Sequence, residues 1–253
     1  MDVKKEYMKI FSKNLFLNSK KTKKVKQEVR DEIDEILSRY DDQKEAFNEE
    51  MEGAIPKAIR MTKNNAEYLE DMGIINAIRF AGKVPHVSIK SKKEMWGMPL
   101  IHFASGFNSK KGDYDVAKGI VAIGSKARGI IALGKLAYGL IAIGGISLGV
   151  LSFGIISAGV FSAAGIAFAL LLAVGGISIS AVVSMGIVAL SSLAASGRVA
   201  MAHFVQTGQK VSENIPGWFS AMSNNIGMVI LIFEVILFGI ILLIFYLDLY
   251  IKN

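Results

Sequence analysis

The sequence predicts an α+β protein with three parts: a charged helical N-terminal region, an apolar glycine-rich β-solenoid and one C-terminal transmembrane helix. Three observations carry this. Charge is concentrated in the first half, with 26 Lys/Arg and 19 Asp/Glu in residues 1–135 and three of each in residues 136–253. Every fifth residue from Ala117 to Ala167 is Ala or Ser, and glycine follows two positions later at nine of those steps. Ile226 to Leu247 is a 22-residue apolar run with one charge, Glu234. The 52% hydrophobic and 20% charged content is more apolar than ordinary globular usage. Leu136 to Gly197 contains no Asp, Glu, Lys or Arg, so that stretch must be buried in protein or sit in lipid.

Residues 1–82 form the charged helical region. Residues 1–30 hold ten Lys/Arg against three acids, and residues 31–52 hold ten acids against two basic residues. Val25, Val29, Ile33, Ile36, Leu37 and Tyr40 recur at spacings of three and four, which is one face of an amphipathic helix. Pro56 suits a first helical turn and not a helix interior, so a break is expected near Ile55. Asn65 is placed to cap a following helix that buries Tyr68, Leu69, Met72 and Ile75. Lys4, Lys5, Lys9 and Lys13 precede no apolar core, so a secretory signal is not expected.

Lys20, Lys21, Lys23, Lys24 and Lys26 form a basic cluster. It reads as a solvated face balancing the acids that follow, or as a surface for anionic lipid headgroups, at ~1 kcal/mol per residue near the bilayer. Nucleic acid is disfavoured because no aromatic side chains interleave the lysines to stack on bases.

The repeat occupies residues 117–200. At ~100° per residue, five residues advance ~500°, so glycines at this period would scatter around a helix by ~140°. A glycine seam for helix packing needs a spacing of four. A solenoid accommodates the pattern, with small residues at tight corners and apolar residues on short straight sides. With ~20 residues per coil, the repeat to Leu171 makes just under three coils stacked at ~4.8 Å. Residues 83–116 then form its N-terminal cap. After Ala169 the spacing returns in a shifted frame, so residues 176–205 either continue the solenoid or turn helical. The rival architecture is all-α, with the apolar middle forming two or three membrane spans.

Three resemblances add to this reading. The five-residue period resembles the pentapeptide-repeat β-helix, although glycine stands where that family keeps a large inward apolar residue. Trp96–Gly97–Met98–Pro99–Leu100–Ile101–His102, followed by Ala117–Lys118–Gly119–Ile120–Val121–Ala122–Ile123–Gly124, resembles a group of bacterial membrane proteins. In that group a Gly-Leu-Pro-Leu-Val-His segment leads into Ala-Ile-Gly repeats. Glu28–Val29–Arg30–Asp31–Glu32–Ile33, Glu45–Ala46–Phe47 and Ile55–Pro56–Lys57 resemble a helical domain that precedes the membrane spans of some bacterial signalling proteins. These resemblances imply a solenoid architecture and a bacterial source, and they imply no activity.

A linker at residues 201–225 leads to the transmembrane helix at residues 226–247. Trp218 and Phe219 before it, and Tyr246 and Tyr250 at its end, suit the two interfaces. The weight of Lys/Arg before the helix places that side in the cytoplasm of a bacterial cell membrane. Glu234 inside the span reads as a buried acid that pairs with a partner or relays protons, or as an acid near the interface tolerated by snorkelling or local thinning; a second copy of the same helix would supply a partner.

The chain has no cysteine, which excludes disulfides, thiolate metal sites and a cysteine nucleophile. His86, His102 and His203 have no carboxylate or second histidine at ligand spacing. No phosphate loop, dinucleotide fingerprint or nucleophile elbow occurs. Ser147, Ser152, Ser157 and Ser162 fall in the alanine register and read as corner residues. Neither catalytic residue, cofactor nor metal is expected. The expected role is a non-enzymatic scaffold or regulatory protein at the inner membrane face, with a protein partner met through the N-terminal helices. The alternative is a membrane-active oligomer such as a pore, toxin or phage-defence effector.

Overall fold

The structure, a computed structural model, describes residues 3–40, 51–109, 112–207 and 216–252. Helices α1 (Val3–Lys13), α2 (Ser19–Leu37) and α3 (Ala54–Asn65) open the head, the helical part of the chain that ends before the cap. Asn18 caps α2, its side chain accepting from the Lys21 N–H at 2.9 Å. The expected apolar face of α2 is buried at Val25, Val29, Ile33 and Ile36. It packs with Met8 and Phe11 of α1 and with Ala58 and Met61 of α3. Pro56 lies in the first turn of α3, as its missing N–H requires. The buried Lys57 extends its ammonium to Glu32. The resemblance residues Glu45–Ala46–Phe47 lie outside the described residues.

The Asn65 cap is not formed. Asn65 ends α3, and its side chain donates to the Met61 carbonyl at 3.0 Å. A 3₁₀ turn at Leu69–Asp71 follows, then α4 at Ile74–Ala81. Leu69 and Met72 are buried as expected, but Ile75 is exposed because the helix starts later. Asp71 ties the turn together, accepting from the Glu67 and Tyr68 N–H groups at 3.0 Å and pairing with Lys21 at 2.8 Å. Burial by itself raises its pKa, but Lys21 and the two N–H groups outweigh that and hold the carboxyl below its usual range.

The cap comprises β1 (His86–Lys90), β2 (Glu94–Met95), β3 (Met98–Pro99), β4 (Ile101–Asn108) and β5 (Asp113–Tyr114). β1 runs antiparallel on β4 and covers the open edge of the first rung. The solenoid follows as β6 (Val116–Ser180), β7 (Val183–Ser191), β8 (Ala194–Met201) and β9 (Phe204–Gln206), paired in parallel from rung to rung. The 176–205 segment thus forms strands and not a helix. After β9 come α5 (Gly217–Asn224) and α6 (Ile226–Lys252).

Glycine contacts set the rung length. A Cβ at Gly129 would lie 2.2 Å from the Gly119 carbonyl oxygen, and one at Gly144 would lie 2.0 Å from that of Gly134. Residue i therefore sits on residue i−10, and one rung is two pentads, in place of the four-pentad coil expected. From Gly175 the offset is eleven: Gly175 sits on Ala164, Gly186 on Gly175, and Leu172 pairs with Val183. That extra residue per rung explains the shifted frame after Ala169.

The small residues also sit elsewhere than expected. Ala117, Ala122, Ala127, Ala132, Ala137 and Ala142 are fully buried and form one cluster, with Ala117, Ala127 and Ala137 stacked on one side of the coil and Ala122, Ala132 and Ala142 on the other. Ser147, Ser152, Ser157 and Ser162 continue these stacks. The Ala/Ser register is therefore the interior of a flattened two-sided coil, too thin for larger side chains. Glycine takes the positions where one rung's backbone approaches the next.

Candidate membrane interface

α6 lies along one face of the solenoid and runs antiparallel to its progress. Val229 and Phe233 near its start pack on the late-rung cluster of Val174, Val183, Met185 and Ala194. Phe233 meets Phe153 edge to face, with centroids 5.4 Å apart. Ile236, Ile240, Ile244 and Leu247 then pack on the early-rung cluster that includes Val121 and Ile131. These residues recur at three and four, one stripe of the helix.

The carboxyl end of α6 docks on the charged head. Asp248, only 4% exposed, accepts a hydrogen bond from the Ile74 N–H at 2.7 Å. Gly73 supplies no side-chain cap for α4, so Asp248 satisfies an open N–H there and places negative charge at the positive end of the helix. Lys93 donates to the Tyr250 carbonyl at 2.9 Å, and its ammonium lies 3.5 Å from the centre of the Tyr250 ring. The carboxyl end of α6, and not its amino end, thus adjoins the charged region.

The rest of α6 is bare. Leu231, Val235, Phe238, Leu242 and Tyr246 are exposed. Met228–Tyr250, 23 residues, is long and apolar enough to cross a membrane. At 1.5 Å per residue it reaches ~34 Å. Glu234 lies on this outward side, exposed in a shallow groove with Leu231, Val235, Phe238 and Ile241. The basic cluster sits apart from it on α2 in the head. Lys21 pairs with Asp71 and donates to the Asn65 carbonyl at 2.7 Å. Lys20, Lys23 and Lys24 are exposed and Lys26 is half-buried.

The solenoid is apolar outside as well as inside. Leu140, Leu148, Leu170 and Ile187 are all more than half exposed, and Ile155 reaches 72%. Lys118, Arg128 and Lys135 are exposed on the first rungs, next to the head.

A polar cluster closes the cap. His86 pairs with Asp115, which also accepts from the Asn108 amide at 3.2 Å. The buried His102 has Nδ1 2.8 Å from the Lys118 amide nitrogen and 3.2 Å from the Lys118 carbonyl oxygen, and Nε2 3.1 Å from the Ser88 hydroxyl. Through these contacts the ring ties β1, β4 and β6 together. Desolvation is the largest influence on it and holds its pKa below the ordinary histidine value. Pairing across 29 residues left no local sequence signal for His86 and Asp115. Among the described residues, no group of three or more His, Asp or Glu side chains could hold a metal ion.

No protein family, no curated protein and no solved structure matches this chain.

Proposed function

We propose that the chain is a non-enzymatic scaffold or regulatory protein of the bacterial cell membrane, which holds its charged helical head rigidly at the cytoplasmic face. The observation that carries this is the docking of α6 on α4 of the head through Asp248–Ile74 and on the adjoining cap through Lys93–Tyr250. A head fixed to its anchor presents α2 in a constant orientation. Its exposed acids Asp31, Glu32, Asp34 and Glu35 then face protein partners, and Lys20, Lys23, Lys24 and Lys26 lie within reach of anionic headgroups. The weight of Lys/Arg before α6, greatest relative to acids in the cap and first rungs, favours the cytoplasmic side for that end of the molecule. Photocrosslinking from Lys23 and Lys24 in intact cells tests this. Discrete, reproducible protein adducts support the scaffold. Adducts to lipid alone, or release of the chain by alkaline carbonate, contradict it.

Glu234 favours a second reading, a membrane-active homo-oligomer. It faces away from the solenoid on an exposed apolar helix side. A carboxyl there costs about 2.5–3.5 kcal/mol at the bilayer centre by insertion scales, unless it is hydrogen-bonded across helices. A second α6 supplies that partner. Crosslinked dimers lost in Glu234→Leu, with dye leakage on expression, support it. A monomeric wild type in lipid contradicts it.

A further inference from the structure

We infer that the β-solenoid itself crosses the bilayer, so that the chain spans the membrane twice, once as stacked rungs and once as α6. The inference rests on the reading of α6 as a transmembrane helix, and topology supplies the next step. The carboxyl end of α6 is bonded to the head, and its amino end lies at the late rungs. If α6 crosses, its amino end is on the side opposite the head. The chain between the head and α6 must then cross as well, and the solenoid is the element that runs alongside.

The dimensions agree. The uncharged stretch from Leu136 to Gly197 is 62 residues. At ten to eleven residues per rung that makes about six rungs, and at ~4.8 Å per rung it rises ~29 Å, against a hydrocarbon core of ~30 Å. Charge returns at both limits, at Lys135 toward the head and Arg198 beyond. Tyr250 at the head end and the exposed Trp218 at the other lie where interfacial aromatics belong.

The backbone meets the condition that lipid imposes. Hydrocarbon excludes unpaired N–H and C=O groups, which restricts spans to helices and closed barrels. A solenoid standing along the membrane normal satisfies the same rule differently. Its hydrogen bonds run from rung to rung along the axis, so its sides offer only side chains such as Leu148, Ile155 and Phe168. Open edges arise only at the first and last rungs, outside the hydrocarbon, and β1 covers the first.

The absence of native cysteine gives a clean background for labelling. Single variants Glu28→Cys on the head, Leu148→Cys and Phe168→Cys on the solenoid, Phe238→Cys on α6 and Ala221→Cys on α5 all lie at exposed positions. They are treated with membrane-impermeant maleimide in sealed vesicles of each orientation, then again after denaturation. The expected result is loss of labelling at Leu148→Cys, Phe168→Cys and Phe238→Cys until denaturation. Ala221→Cys and Glu28→Cys should label from opposite sides. Labelling of both solenoid positions with Phe238→Cys still protected overturns the inference and leaves the anchored scaffold standing. Labelling of Phe238→Cys as well overturns both. Protection with Ala221→Cys and Glu28→Cys on the same side also overturns it, because another protein surface would then cover the solenoid.

Discussion

The head and the solenoid are held together by different forces. In the head, large side chains such as Phe11, Val29 and Ile33 are fully buried, so its stability comes mainly from apolar area removed from water. In the solenoid the interior is alanine and serine, and most of the large apolar residues point outward. Away from the face that α6 covers, little area is buried, and cohesion there falls to the backbone ladder between rungs. The first design needs water to drive it. The second loses little in hydrocarbon, where backbone hydrogen bonds have no competing solvent and outward leucines need no burial. The contrast follows the charge boundary in the sequence.

Substitutions that strike one force and spare the other sharpen the comparison. Phe11→Ala removes a fully buried ring from the head and is expected to cost about 3–5 kcal/mol. Limited proteolysis should then degrade residues before the cap while the solenoid with α6 survives; joint loss of both would mean that the head and the solenoid fold as one unit. Gly144→Ala puts a methyl 2.0 Å from the Gly134 carbonyl oxygen and is expected to cost about 1–3 kcal/mol by overpacking. Gly145→Ala meets its nearest atom at 3.1 Å and is expected to cost less. Thermal melts in detergent that rank the two equally would contradict the ten-residue rung.

Smaller effects probe the junction and the solenoid interior. Asp248→Ala removes the cap of α4 and is expected to cost ~1 kcal/mol, seen as faster amide exchange around Ile74. Unchanged exchange would mean that the head does not depend on its anchor. His102 has a depressed pKa in the folded state, so the unfolded chain binds its proton more readily. The stability present above about pH 6.5 should be lost as pH falls through the folded value, and His102→Gln should flatten that part of the profile. Ser147 places a buried hydroxyl without a hydrogen-bond partner among the described residues, at a register position that alanine fills in earlier rungs. Ser147→Ala is therefore expected to raise stability by about 1 kcal/mol.

The three-part α+β plan was legible because each part announces itself in composition over many residues. What escaped the sequence depends on contacts between distant positions. A strict period of five is compatible with ten or twenty residues per coil, and only Gly129 sitting on Gly119 decides between them. Ala117 and Ser147 read equally well as corners or as interior, because both places favour small side chains. Asn65 has the chemistry of a cap, yet α4 is capped by Asp248 from 174 residues away. Within α6, Glu234 drew notice as the isolated acid, while Asp248, near the end and beside two tyrosines, carries the docking. No local pattern distinguishes an acid that faces lipid from one that closes a helix terminus.

The central claim, that the solenoid stands along the membrane normal, is tested most directly by polarised infrared spectroscopy of the protein in oriented bilayers. The carbonyls of the rungs point along the solenoid axis. The account expects the strand amide I band to be polarised along the membrane normal, together with the helical band of α6. A strand band polarised in the membrane plane, with the helical band still along the normal, would contradict it.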